Sequence, residues 1–374
     1  MSDTQTRQAA EPRTVGDEYE IRWCGSADAE RVHTLLTDEL GRGPREWFDW
    51  KYVGDPYLSH IPINFIEHDG EIIGMQGYVP AELRSGEQTV LALQPVDAFI
   101  HPSHRRNGLY TELTQQAIDR YTGDQPSLFF NYPNPGALGA QEKLGWESLG
   151  ELAVYYRFQR PSAHTGSIVG GAGGRLLGVA ADAVVRGGLA ALDRTASRGP
   201  GLEVVRHEQP PSRTLATLYE RHVPNRLHVH RGRQFYDWWL ADPTHEFVTY
   251  VARDGTEPVG AIVTRKPKPQ VLQLRDAVPL VPAGSDSVFK RLLATVLRDN
   301  DDVATVKSVG ATLPAALLRR FGFVRDSSPV IDSFTTPVLM AARPLVEDGR
   351  GGDLPEAVTD NRNWHPTFLE LDRD

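Results

Sequence analysis

Cysteine occurs once, as Cys24. A single thiol closes no internal disulfide and builds no cysteine-rich zinc site, and it fits a reducing, cytoplasmic compartment. It ends the apolar run YEIRWC, where a lone cysteine reads as a buried, inert side chain and not as a nucleophile. Lysine is confined to Lys51, Lys143, Lys266, Lys268, Lys290 and Lys307, so arginine carries nearly all the positive charge. The formal net charge is −9, which offers no electrostatic footprint for nucleic acid. No run of about 18 apolar residues exists. The nearest approach, Gly173–Arg194, is interrupted by Arg175, Asp182 and Arg186 and reads as a helix packing between domains, in preference to one docked on a membrane surface. Neither G-x-x-x-x-G-K-[ST] nor a G-x-G-x-x-G after a strand occurs, which leaves ATP, GTP and NAD without support. The polar N-terminus, MSDTQTRQAAEPRTVGDEYE, has no apolar signal region and reads as a disordered lead.

What is present is a repeat. The length of 374 residues favours two domains. REWFDWKYVGDP at Arg45–Pro56 is echoed by RQFYDWWLADP at Arg233–Pro243, each with an Asp-Trp pair (Asp49-Trp50, Asp237-Trp238) before Asp-Pro. An extended run into an Asp-Gly turn follows each, at Asp69-Gly70 and Asp254-Gly255, with hairpin turn chemistry. VDAFIHP then aligns with LRDAVPLVP through Asp97-Ala98 and Asp276-Ala277, an amphipathic helix follows, and each half ends on Leu144-Gly145-Trp146 or Phe321-Gly322-Phe323. Each half reads as strand, two helices, three antiparallel strands, helix, strand, helix, strand. A Gly/Ala-rich segment near 161–200 joins the halves. The tail after about Thr335 looks loop-like, although Trp364, Phe368 and Leu371 give it apolar residues with which to dock.

The halves differ at one place. The first has SHRRNGLY after its third strand; the second has AGSDSVFK. A helix N-terminus leaves backbone N–H groups unpaired and, with its dipole, favours an anion. Gly108 tolerates unusual backbone angles and lets a ligand approach, and Arg105 and Arg106 add bidentate donors. Strand, Pro102, Arg-Arg-Asn-Gly and helix together suit a pyrophosphate. Further on, NYPNPGALGAQEKLGW places Asn134 near a strand end, before a short helix.

These motifs resemble the GNAT superfamily of acyl-CoA-dependent N-acyltransferases. The R/Q-x-x-G-x-G/A signature is matched by Arg105, Gly108 and, imperfectly, Tyr110; the lead-in by Asp97, Ile100 and Pro102; and the later N-x-x-A…K-x-G-F stretch by Asn134, Ala137, Lys143, Gly145 and Trp146. The resemblance covers about residues 20–158. It implies an α/β (α+β) fold of two GNAT-like units, each a mixed, mostly antiparallel sheet flanked by helices. The expected division is a lead over 1–17, an acyl-CoA-binding unit over 18–160, a linker with a helix over 161–200, a degenerate unit over 201–335 and a tail over 336–374. It implies acetyl-CoA as co-substrate, no metal, and a small-molecule amine as acceptor, with transfer by direct attack. Phe99, Ile100, Arg105, Arg106, Asn107, Gly108, Leu109, Tyr110 and Asn134 are the expected cofactor-binding residues. Where many members carry a tyrosine acid this chain has Gln141, which cannot usefully donate a proton; Tyr132 is the substitute by proximity in sequence. Asp97 is the best placed carboxylate for a base, and equally a strand-end residue making a structural hydrogen bond.

Two rival readings stay open. One is a tandem enzyme taking amino acids from aminoacyl-tRNA, against which the net charge and the Arg105–Gly108 loop speak; the other is a CoA-binding sensor without turnover. Trp47 and Trp50, placed like Trp238 and Trp239, read first as core packing and second as walls of an acceptor pocket. His222, His228 and His230 lack a cysteine or a well-spaced carboxylate and read as a solvated cluster, not a metal site. A homodimer, the acyl length and the acceptor are left undetermined.

Overall fold

The computed structural model describes residues 12–16, 18–123, 125–165, 172–196, 201–280, 286–329, 331, 335–345 and 358–371. The first half runs β1 (Arg13–Val15), β2 (Tyr19–Trp23), α1 (Ala29–Leu40), α2 (Arg45–Phe48) continuing into a π-helical turn (Asp49–Val53), β3 (Ile63–His68), β4 (Glu71–Ser85), β5 (Gln88–Ile100), α3 (Leu109–Tyr121), β6 (Leu128–Asn131), α4 (Pro135–Glu142), β7 (Glu147–Leu152) and β8 (Val154–Phe158). Helices α5 (Ser162–Thr165) and α6 (Ala172–Ala196) lead to the second half: β9 (Glu203–His207), α7 (Ser212–Glu220), β10 (His228–Val229), α8 (Arg233–Trp239), β11 (Phe247–Asp254), β12 (Glu257–Lys268), β13 (Val271–Val278), α9 (Asp286–Asp299), β14 (Thr305–Val309), α10 (Ala315–Arg320), β15 (Val324–Arg325) and β16 (Val338–Pro344).

Two mixed, mostly antiparallel sheets result. The first has the order β1-β2-β3-β4-β5-β6-β16-β7, with β10 added beside β4; the second has the order β15-β8-β14-β13-β12-β11-β9. The hairpins form where the sequence places Asp-Gly turns, and Asp69 and Gly70 take φ of 51° and 81°, the left-handed pair that such a turn requires. In each sheet the third strand of the meander pairs in parallel with the strand after a crossover helix: β5 with β6 at Ala92–Leu128 and Leu93–Phe129, β13 with β14 at Val271–Thr305 to Gln273–Lys307.

The division of the chain differs from the expected one in three respects. Strand β8 lies inside the stretch assigned to the first unit, yet it pairs with β14 and β15 of the second sheet. Strand β16 lies in the stretch expected to be a loop-like tail, yet it fills the place between β6 and β7 in the first sheet. Its sequence, VLMAARP, alternates weakly, because both of its faces are covered. Residues 13–15, expected within a disordered lead, form β1, and Arg13 adds ion pairs to Glu112 and Asp119 on α3. The first half thus lends β8 to the second sheet, and the second half lends β10 and β16 to the first.

The main apolar cluster belongs to neither half. It joins Leu83, Phe130, Tyr132 and Leu149 to Tyr219, Phe235, Trp239, Val263 and Val309, and Trp364, Phe368 and Leu371 of the last segment dock into it. At its edge Trp50 and Trp238 stack with centroids 5.5 Å apart. Each indole N–H donates to the other's backbone carbonyl, at 2.7 and 2.9 Å. Corresponding residues that hydrogen-bond reciprocally mark a local two-fold relation between the halves.

Candidate active site

The loop from His101 to Gly108 is built as the sequence predicts and for the physical reasons it suggests. Pro102–His104 forms a single 3-10 turn. Arg106 and Gly108 both take positive φ, 70° and 76°. Such reversals turn successive N–H groups toward one side and make a concavity for an anion. A side chain at position 108 would meet nothing within 4 Å, so glycine is needed there for its backbone angle and for leaving the groove open. Arg105, Arg106 and Asn107 are exposed. Arg105 also donates from Nε to the Ile100 carbonyl at 2.8 Å, which anchors the loop to the end of β5. Leu109 is buried among Ile21, Ile66 and Leu113, so only its backbone faces the groove. The corresponding loop of the second half, at 281–285, lies outside the described residues.

From this concavity a groove of about 620 Å³ runs past Pro102, Arg105, Gly108 and Tyr110 to Ala98, Phe99 and Ile100, with Leu40 and Ala140 on its sides. Strand β5 pairs with β6 only at Ala92 and Leu93, so the two strands diverge beyond that point. That edge of Gln94–Ile100 has no partner strand among the described residues. A bulge adds to the effect: Met75 faces Phe99 and Gly77 faces Val96, which leaves Asp97 and Ala98 opposite Gln76 alone. Asp97 takes φ of 48° there. A bulge frees backbone groups from the ladder and bends the strand.

Asp97 does not stand free to take a proton. Its carboxylate accepts from Lys51 Nζ at 2.9 Å and from the Tyr52 hydroxyl at 2.5 Å, and it pairs with Arg42 at 2.5 Å. Burial alone raises the carboxyl's pKa, but Lys51 and Arg42 outweigh burial and hold it below its usual range. This geometry fits the structural alternative for Asp97. Tyr132 is buried in the shared cluster, and burial, reinforced by Glu370, pushes its phenol well above the ordinary value. It shares with Phe130 the face of β6 that looks toward the second half, whereas Phe129, pointing the other way, packs with Trp146 and Tyr121 near α4. Tyr132 therefore faces away from Gln141. Asn134 is the N-cap of α4, its side-chain oxygen accepting from Ala137 N at 2.9 Å, which accounts for the N-x-x-A spacing.

The three partners of Asp97 escaped the sequence reading. Lys51 and Tyr52 sit in the π-helical turn, and nothing in their spacing announces Asp97; the only signal is a lysine inside an otherwise aromatic, buried run. Gln141 is fully buried, and its amide donates to the Tyr110 hydroxyl at 3.2 Å. Its other amide atom, Oε1, has no hydrogen-bond partner among the described residues.

On the face that looks toward the second half lies a cavity of about 80 Å³. Trp47, Trp50, Lys51 and Gln94 line it from the first half, Phe235 and Trp238 from the second, and Glu370 from the last segment. Trp47 and Trp50 thus serve both the packing and the wall.

Residues 20–149 match the family model of the acetyltransferase (GNAT) domain. The match is to an acetyltransferase (GNAT) domain and is confined to the first half of the chain. Among solved structures, the chain is similar to a GCN5-related N-acetyltransferase from Anabaena variabilis, with a TM-score of 0.58 and 14% identity over 87% of this chain and 73% of that one. It is also similar to a GCN5-related N-acetyltransferase from Kribbella flavida, with a TM-score of 0.59 and 14% identity over 87% and 71%. A conserved protein from Enterococcus faecalis, described as a probable N-acyltransferase, gives a TM-score of 0.60 and 12% identity over 87% and 73%. Likenesses at these identities establish the fold. No curated protein sequence matches significantly.

The remaining residues that attracted attention in sequence have structural roles. Cys24 is buried, and burial, then Asp28, pushes its thiol up to about 12. The histidine cluster is solvated only in part: His222 is exposed, His230 is half-buried and pairs with Glu82, and His228 is fully buried between the Tyr219 hydroxyl at 2.9 Å and the Arg226 carbonyl at 2.6 Å. Among the described residues no group of three histidine, cysteine or acidic side chains is arranged to hold a metal ion, and no helix is long and apolar enough to cross a membrane.

Proposed function

We infer that the first unit binds acyl-CoA, acetyl-CoA in the simplest case, and transfers the acyl group to a primary amine by direct attack. One observation carries this reading: the anion concavity at Arg105–Gly108 opens into a groove that follows the unpaired edge of β5. The N–H groups between Arg105 and Tyr110, with the Arg106 guanidinium, suit a diphosphate. The free edge at Ala98–Ile100 suits an amide-bearing arm that pairs as an added strand. When bound, the thioester supplies an activated acyl carbonyl. A backbone N–H freed by the bulge at Asp97 is the donor for that carbonyl's developing charge.

The amine approaches from the opposite face. The diverging strands leave a gap between the groove, on the side of α3 and α4, and the aromatic cavity between the halves. Trp47, Trp50 and Trp238 form walls for the apolar body of the acceptor, and the second half contributes to this pocket without binding CoA itself. Asp97 then acts as a positioning residue, holding Lys51, Tyr52 and the bulge in register. Tyr132 is a wall on the acceptor side.

The first test is stability against heat with CoA or acetyl-CoA. A ligand at about 100 times its dissociation constant adds about 2.7 kcal/mol, so absence of any shift at millimolar CoA rules the reading out. Turnover over a panel of amines, with CoA release followed by a thiol reagent, distinguishes a transferase from a binding protein.

A further inference from the structure

Transfer to an amine leaves a thiolate that needs a proton, and neither residue expected to handle protons stands at the groove. Asp97 is buried among cations, and Tyr132 points to the other face of the sheet. The polar side chains that do line the groove are Glu39, His104, Arg105, Arg106, Tyr110 and Thr111. His104 faces away, its Nδ1 on the Tyr19 hydroxyl at 3.2 Å and its ring against His68. The arginines belong to the anion loop. Thr111 is an alcohol and a poor acid. Tyr110 differs from all of these. It stands at the start of α3, where a small residue was expected, and its ring crosses toward α4 to meet Gln141.

The geometry points to Tyr110 as the acid that protonates the departing thiol, with Gln141 as the residue that positions it. This rests on the reading of the groove as the acyl-CoA site. The Gln141 N–H donates to the phenol oxygen at 3.2 Å, which leaves the phenol's own hydrogen to point elsewhere. Gln141 is itself held firmly, being fully buried, with its backbone carbonyl accepting from Leu144 and Trp146 at 2.8 and 3.2 Å. Two departures from the expected pattern thereby compensate in space. The tyrosine missing from α4 is replaced by one reaching across from α3 to the same place. In the step itself the amine nitrogen bonds to the carbonyl carbon and the C–S bond breaks. Its electron pair stays on sulfur and takes the Tyr110 proton, while the proton shed by the amine passes to water. Water then reprotonates the phenolate, which the Gln141 N–H holds in the interval.

The test is Tyr110→Phe. It should keep the Kd for CoA, measured by calorimetry, within about twofold of wild type. It should lower kcat on the order of 10²-fold with KM for acyl-CoA nearly unchanged. Gln141→Tyr added to Tyr110→Phe returns a phenol from the other helix and should recover at least about tenfold of the lost kcat. Gln141→Leu, which keeps the phenol and removes its N–H partner, should lower kcat with the same Kd. If Tyr110→Phe binds CoA normally and keeps kcat within about threefold, Tyr110 is not the acid although the groove reading stands. A loss expressed in Kd or KM alone assigns Tyr110 to binding and likewise overturns the proposal. If wild type binds no CoA, the groove reading fails first and this one with it.

Discussion

Replacing Asp97 by asparagine separates a proton-accepting role from a structural one. Lys51, nearly buried with its side chain 5% exposed, has its Nζ 2.9 Å from the carboxylate. Arg42 is 32% exposed and can swing into water, but Lys51 lies under Trp47 and Tyr52, with Nζ 5.0 and 5.5 Å from their ring centres. Asparagine keeps an oxygen for the Tyr52 hydroxyl and removes the negative charge that balances Lys51. Breaking a buried pair from one side costs about 3–5 kcal/mol. In a protein of this size that corresponds to a fall in Tm of roughly 4–6 °C. Scanning calorimetry and urea titration, each with the far-ultraviolet spectrum as a check on folding, measure it. Lys51→Met in the same chain removes the stranded charge, and the double variant should regain at least about half of the loss. A base would behave differently: asparagine would leave Tm within about 2 °C and remove kcat by 10²-fold or more. That second pattern refutes the structural role argued here. A double variant no more stable than Asp97→Asn refutes the claim that Lys51 is what the carboxylate serves.

Three further outcomes follow from the same packing. Asp55 and Asp242 begin equivalent Asp-Pro turns, but Asp242 has His245 at 2.8 Å and lies below its usual range, whereas burial pushes Asp55 up to about 6 against the Tyr57 and Leu58 N–H groups. A carboxyl raised in the folded state gives stability below pH 4 that is lost as pH climbs through 6, so Asp55→Asn should match wild type near pH 4 and exceed it by about 2–3 kcal/mol at pH 7. Burial, with Arg226 and Arg231, lowers His365 to about 4, so its contribution is complete above pH 6.5 and is lost as pH falls from 6.5 to 4; His365→Gln should flatten that limb of the stability curve by up to about 3 kcal/mol. Residues 1–160 expressed alone lack β16 and the partners of Phe130 and Leu149, and should be recovered as aggregate or as a molten species that binds 8-anilinonaphthalene-sulfonate; a soluble, cooperatively melting fragment contradicts the strand exchange as a requirement for folding.

Local chemistry was legible and long-range pairing was not. The Asp-Gly turns, the anion loop and the two-fold repetition each depend on residues close together in the chain, so Asp69-Gly70 and Arg106–Gly108 could be assigned from their letters. The partners of Asp97 could not, because Lys51, Tyr52 and Arg42 reach it across 45 to 55 residues and their identities obey no motif. Tyr132 suggests itself because it is near the expected acid in sequence, but strand alternation sends it to the opposite face of β6. That alternation was readable: Phe129 and Phe130 cannot both point at α4. The exchanged strands were hidden for another reason. Strand β8 follows β7 after a single residue, and only the pairing shows that the chain has crossed between sheets there.

That exchange explains why a half without the arginine loop is kept at all. The first sheet is completed between β6 and β7 only by β16, and its inner face is closed by Phe235, Trp239 and the last segment. The second half is therefore part of the first unit's fold before it is part of its chemistry. The local two-fold axis at Trp50–Trp238 also brings α8 against the π-helical turn, beside the cavity between the halves. A sequence free to lose its own anion loop, but bound to keep the strand it lends and the tryptophan it stacks, changes just where this one does: at 283–290 and not at Asp237-Trp238. Packing holds one part of the repeat constant and leaves the other free to change.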